Sequence, residues 1–132
     1  MAAISKVGTP SLSTAIPPTS CNISGFHAGE ALAAGDACYI KTSDGLIYRS
    51  TGAALNAAAV VDGFVPADCP IGEATSLYFD VQFYYGAALS PGSYVYLSGT
   101  TAGGLDTAAS TGGLTPIGRV IDATRIRLVP SY

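Results

Sequence analysis

Over residues 77–85 large side chains alternate with period two: Leu77, Phe79, Val81, Phe83 and Tyr85 fall on one side, Tyr78, Asp80, Gln82 and Tyr84 on the other. Successive side chains of an extended strand point to opposite faces, so this spacing predicts a strand with one buried face. The chain after Gly29 reads the same way in shorter pieces. Residues 37–41, 46–50, 58–65, 94–98, 116–122 and 124–129 are short runs bounded by Gly, Pro, Asp or Ser, the punctuation of strands and turns. Thr42-Ser43-Asp44-Gly45 reads as a hairpin turn, its Asp-Gly pair supplying the positive φ, and Pro91-Gly92 as another. Only residues 53–60 hint at helix, through alanine; without a convincing cap they read as one short or irregular turn. The expected class is all-β: a small β-sandwich or β-barrel-like domain of short strands.

Residues 1–27 differ. Three prolines, Pro10, Pro17 and Pro18, stand among many hydroxyl side chains, so this stretch is extended rather than helical. Its sparse apolar residues, Ile4, Val7, Leu12, Ile16 and Ile23, suit docking on a neighbour. The expected organisation is an extended Pro/Ser/Thr-rich N-terminal arm, 1–27, followed by a β-domain, 28–132. Within that domain a weak repeat is visible. Residues 32–40 (Leu-Ala-Ala-Gly-Asp-Ala-Cys-Tyr-Ile) resemble 89–97 (Leu-Ser-Pro-Gly-Ser-Tyr-Val-Tyr-Leu). A Gly-Leu pair follows each, Gly45-Leu46 and Gly104-Leu105, and then Gly63-Phe64-Val65 and Gly118-Arg119-Val120. This pattern reads as a duplicated hairpin unit or as convergent turn chemistry.

A chain of 132 residues is one domain, or a domain with an arm, and buries about two-thirds of its unfolded surface. Only 11% of the residues are charged, against about 25% in ordinary soluble domains. That argues against a disordered chain and for a surface partly covered by partners. The net charge is −3, and the six cations form no run, which argues against nucleic-acid binding. The longest clean apolar run, residues 57–61, is far too short for a membrane helix. No signal-peptide layout opens the chain, so it is expected to be made inside the cell and left unprocessed.

Catalytic constellations are not expected. His27 is the only histidine, and a zinc site would need it together with Cys21, Cys38 and Cys69 at no standard spacing. Three small buried hydrophobes is the plainer reading of the cysteines, with one disulfide or an intermolecular bridge as the alternative. Several acids sit in turns, where turn chemistry accounts for them. Gly103-Gly104-Leu105 and Gly112-Gly113-Leu114 lack the Lys-Ser/Thr ending of a phosphate loop. No enzyme activity, cofactor or metal is expected. The tyrosines fit either a sugar-stacking platform or an interface, since tyrosine favours places with one apolar and one wet side. Tyr78 and Tyr84 on the polar side of 77–85, and Arg125 and Arg127 on one face of the last strand, are the interface candidates beside the arm residues. Arg119 is a further candidate for acidic contacts.

The run Ala28-Gly29-Glu30-Ala31-Leu32-Ala33-Ala34-Gly35-Asp36-Ala37-Cys38-Tyr39-Ile40 resembles the opening of small capsid decoration (cement) proteins of tailed bacteriophages. There a Gly-Glu-x-Leu-x-x-Gly-Asp-x-x-Tyr start leads to an Asp-Gly hairpin, here Asp44-Gly45 with Tyr48-Arg49 after it. Residues 89–98 and 116–128 are also similar to that family, so the resemblance covers roughly 28–130. It implies a non-enzymatic virion protein, made in the bacterial cytoplasm and placed on the outer capsid surface. Such a protein forms homotrimers that clamp neighbouring major capsid protein subunits, with the arm reaching the shell or an adjacent trimer. The runner-up expectation is a tail-tip or receptor-binding β-domain that recognises a host glycan.

Overall fold

The computed structural model describes residues 3–13 and 21–132. These fold as two antiparallel sheets, one of them curled. The strands are β1 (Ala3–Ile4), β2 (Ser11–Leu12), β3 (Asn22–His27), β4 (Ala37–Ile40), β5 (Ile47–Arg49), β6 (Gly63–Phe64), β7 (Ala74–Tyr78), β8 (Val81–Tyr84), β9 (Tyr94–Leu97), β10 (Leu105–Asp106), β11 (Gly118–Val120) and β12 (Arg125–Leu128). One sheet has the order β3-β7-β6-β4-β5 and the other β1-β10-β9-β11-β12-β8-β2.

The two orders are one order used twice. Moving five strands along the chain turns β3-β7-β6-β4-β5 into β8-β12-β11-β9-β10, the central five of the larger sheet. Local geometry repeats with it. Gly35 and Gly92 both have positive φ, 80° and 84°, where glycine meets no Cβ penalty. The Gly35 N–H donates to Val65 O at 2.8 Å, and the Gly92 N–H to Val120 O at 2.8 Å. Cys38 pairs with Gly63 in one unit and Val95 with Gly118 in the other. Both glycines lie against the next strand: a Cβ on Gly63 would come 2.8 Å from Leu77 Cβ, and one on Gly118 2.7 Å from Arg127 O.

The alternation over 77–85 is not one strand. Asp80 adopts a left-handed φ of 54°, a conformation Asp tolerates better than most residues. That turn sends β7 into the smaller sheet and β8 into the larger. Leu77 therefore enters the smaller core with Cys38, Ile47, Val65 and Cys69, whereas Val81, Phe83 and Tyr85 enter the larger with Val95, Leu105, Ile126 and Leu128. The strand expected over 58–65 is also shortened. Asn56 Oδ1 accepts the Ala58 N–H at 2.9 Å and caps a 3-10 turn, Ala57–Ala59, leaving only Gly63–Phe64 as strand.

The described part of the expected arm supplies three edge strands. β1 pairs with β10, β2 with β8, and β3 with β7. Where they pair these residues are extended, and they pair within this chain's own sheets. Ile4 is buried in the larger core, and Leu12 packs against it. One segment, 3–13, borders both edges of the seven-stranded sheet. Seven flat strands at about 4.8 Å spacing would separate the outer two by roughly 29 Å. The chain from Ile4 to Ser11 reaches at most roughly 25 Å, so the sheet must curl. On the way the Val7 N–H donates to Tyr85 O at 3.0 Å. The smaller sheet closes more simply: Ala28, directly after β3, bridges Ile47 of β5, and the Gly29 N–H donates to Ile47 O at 2.9 Å.

Candidate interface on the larger sheet

The inner face of the seven-stranded sheet is apolar and its outer face is polar, because β8, β9, β11 and β12 each alternate buried and open residues. Register sets the outer residues side by side. Tyr94 lies opposite Arg119, Arg119 opposite Arg127, and Arg127 opposite Gln82. In the adjoining row Arg125 lies opposite Tyr84, and Tyr84 opposite Ser11. Tyr84 and Tyr94 are 49% and 54% exposed, so both rings are available from outside.

Each arginine is held differently. Arg125 Nε donates to Asp122 Oδ2 at 2.7 Å and its Nη1 to Gln82 Oε1 at 3.1 Å. Asp122 Oδ1 also accepts the Thr124 and Arg125 backbone N–H groups, at 3.0 and 2.9 Å. The Thr124 N–H first, and then the Arg125 side chain, hold its carboxyl down at about 2, from an ordinary 3.8. Arg127 pairs with Asp80, its Nε donating to Oδ1 at 2.9 Å. Arg119 has no carboxylate partner among the described residues. Its Nε donates to Gly92 O at 3.2 Å, and its guanidinium lies 5.4 Å from the Tyr94 ring centroid, a cation–π arrangement.

Of the residues expected at an interface, Tyr84, Arg125 and Arg127 come together on this face. Tyr78 is half-buried and packs inward against the larger core, and Ile4 lies within that core. Leu12 is half-buried, Val7 is exposed on the connection between β1 and β2, and Ile16 lies outside the described residues. Gln82 and Tyr94 complete the face. The polar side of the 77–85 alternation pointed to Gln82, and Tyr94 is the residue the repeat aligns with buried Ala37.

Elsewhere the chemistry is structural. Lys6 Nζ donates to Asp36 Oδ1 at 2.6 Å, and Asp36 Oδ2 accepts the Ala33 N–H at 2.9 Å. Cys38 and Cys69 are buried thiols. Burial, then the nearby Asp36 and Glu30 charges, pushes the Cys38 thiol well up, and burial raises Cys69 too. His27 lies on exposed β3, its Nδ1 3.2 Å from Gly72 O. Among the described residues no three His, Cys, Asp or Glu side chains are grouped to hold a metal, and no helix is long and apolar enough to cross a membrane. An open hollow of about 250 Å³ is lined by Leu55, Val60, Leu97 and Leu114 among others. Comparison of the chain with protein-family models, with characterised proteins and with solved structures returned no match.

Proposed function

We propose that this chain is a structural protein of a tailed-phage virion, which decorates the outer capsid surface as a homotrimer and clamps neighbouring major capsid subunits. The observation that carries the reading is where the residues behind the family resemblance fall. They are the joints of the β-unit rather than incidental turns. Glu30 accepts the Arg49 backbone N–H at 3.0 Å and its Nη2 at 3.2 Å, tying the segment before β4 to β5. Gly35 turns the chain into β4, and Asp36 anchors that turn through the Ala33 N–H. Asp44 and Gly45 make the β4–β5 hairpin, with Asp44 accepting from the Leu46 N–H at 2.9 Å and the Tyr48 hydroxyl at 2.7 Å. A motif that specifies a fold supports a family reading better than the same letters scattered in loops.

The test uses phage shells lacking this protein. Purified chain should co-sediment with them at a copy number of the same order as the major capsid protein, and it should raise the shells' resistance to heat. A handful of copies per particle would instead favour a tail-tip receptor-binding domain, whose exposed Tyr84 and Tyr94 would stack on sugar. No co-sedimentation overturns the shell reading. Sedimentation of the free chain reads the trimer separately.

A further inference from the structure

The repeated strand order shows what one row of the sheet becomes when it is covered and when it is left open. In the first unit the row across β4, β6, β7 and β3 is Ala37, Phe64, Tyr78 and Asn22. Ala37 and Phe64 are fully buried against the larger sheet, and the Phe64 ring lies 6.5 Å from Phe83. The equivalent row of the second unit is Tyr94, Arg119, Arg127 and Gln82. No described residue covers it.

Two features of that open row go beyond an ordinary wet surface. Charge is the first. Residues 22–79 hold six of the nine carboxylates and two cations, whereas residues 80–132 hold three arginines and three aspartates. Half of the chain's cations thus share one face of an acidic protein. The second is that Arg119 and Arg127 are direct cross-strand partners. Such side chains have Cβ atoms about 5 Å apart, and like charges placed so are destabilising. Asp80 offsets Arg127, but Arg119 has only a carbonyl and a ring. A carboxylate arriving at this face meets in Arg119 a guanidinium with no acidic partner among the described residues and gains charge-assisted hydrogen bonds. Tyrosine and arginine are also the residues that anchor protein interfaces.

We infer that the outer row of β9, β11, β12 and β8 is a docking face for an acidic protein surface, with Arg119 and Arg127 gripping its carboxylates and Tyr94 and Tyr84 packing beside them. The inference rests on the docking reading above and adds which face is used and what chemistry it meets. It is tested first without a shell, by retention of the full chain on immobilised poly-L-glutamate at low salt. A protein of net charge −3 should be repelled by this polymer unless it carries an organised cationic face. We expect retention that is lost by roughly 0.15 M salt, where the Debye length is about 8 Å. Combined Arg119→Ser and Arg127→Ser should abolish it, while Lys41→Ser, which removes one cation elsewhere, should preserve it. Thermal stability of the double variant should stay close to wild type, since relief of the opposed charges is set against loss of the exposed Arg127–Asp80 pair and the Arg119 contacts. Flow-through of the wild-type chain, or equal loss with Lys41→Ser, overturns the inference. The second arm is binding to the shells, where the double variant should bind at least about tenfold more weakly. Wild-type and double variant binding shells equally overturns the docking face while leaving the shell reading intact. Retention on polyglutamate without shell binding keeps the face and refutes the shell.

Discussion

Replacing Lys6 by methionine tests how the N-terminal segment is held. Lys6 is the ion pair that joins this segment to the first repeat, through Asp36 at 2.6 Å, with side chains 26% and 5% exposed. Methionine keeps most of the apolar stem and removes the charge. Breaking a fully buried pair costs about 3–5 kcal/mol, and an exposed pair is worth about 0.2–1 kcal/mol. Here the carboxylate is buried, the ammonium is partly wet, and Asp36 keeps its bond from the Ala33 N–H. An intermediate cost of about 2 kcal/mol is expected. With a urea dependence of about 2 kcal/mol per molar, the unfolding midpoint should fall by roughly 1 M. Far-UV circular dichroism reads it, and tyrosine emission serves as a second probe because the chain has no tryptophan. Asp36→Asn leaves an amide facing the ammonium and should cost a similar amount. Removing both partners should cost less than the two single changes together, by about 1–2 kcal/mol. A Lys6→Met midpoint within about 0.2 M of wild type, with additive single effects, would refute the reasoning. Strand pairing alone would then hold the segment.

Three further outcomes are expected. The Asp122 carboxyl should titrate near 2 when followed by NMR. Its folded value is depressed, so the stability it contributes is present above the unfolded value of about 3.9 and is lost as pH falls towards 2; Asp122→Asn should remove that part of the acid sensitivity. Iodoacetamide at pH 8 should modify half-buried Cys21 well before Cys38 and Cys69, whose thiols are raised by burial, and mass spectrometry of timed samples orders the three. Gly63→Ala and Gly118→Ala should each destabilise by about 1–3 kcal/mol, since both bring a Cβ under 3 Å from the neighbouring strand; a tolerant site at either position would break the equivalence of the two units.

The turns and the larger part of the strands were legible because each rests on local chemistry. Asp44-Gly45, Gly35 and Gly92 mark turns in any context, and the 32–40 and 89–97 runs align because the same turn and strand recur in space. What stayed hidden depended on partners distant in sequence. The 77–85 alternation continues in register through Asp80, so nothing local shows that its halves belong to different sheets. The N-terminal segment reads as an arm because prolines and sparse apolar residues look alike in an arm and in an edge strand. Only the open edges of β8 and β10, one of them about a hundred residues away, give it a place. The candidate face was half visible for a related reason. Arg125 and Arg127 share a strand face by period two, but their neighbours Arg119 and Tyr94 come from other strands and depend on the register.

The repeat also explains why the face exists. Two copies of a unit in one chain share a fold-specifying skeleton: the glycines at 35 and 92 and at 63 and 118, and the buried residues Cys38 and Val95. The copies cannot share environments, because the second packs against the outside of the first. At the contact, the first copy's row is Ala37 and Phe64, whose burial contributes about 2–3 kcal/mol for the phenylalanine alone. At the equivalent row of the second unit no described residue covers the face, and an alanine–phenylalanine pair there would leave an apolar patch that invites association. Tyr94 and Arg119 replace them, with Arg127 beside Arg119. Solubility alone would be met by residues of mixed charge, such as a glutamate opposite Arg127, which would also gain a cross-strand pair. Two arginines opposite each other forgo that gain, which is the physical ground for reading the row as built for an acidic partner rather than for water.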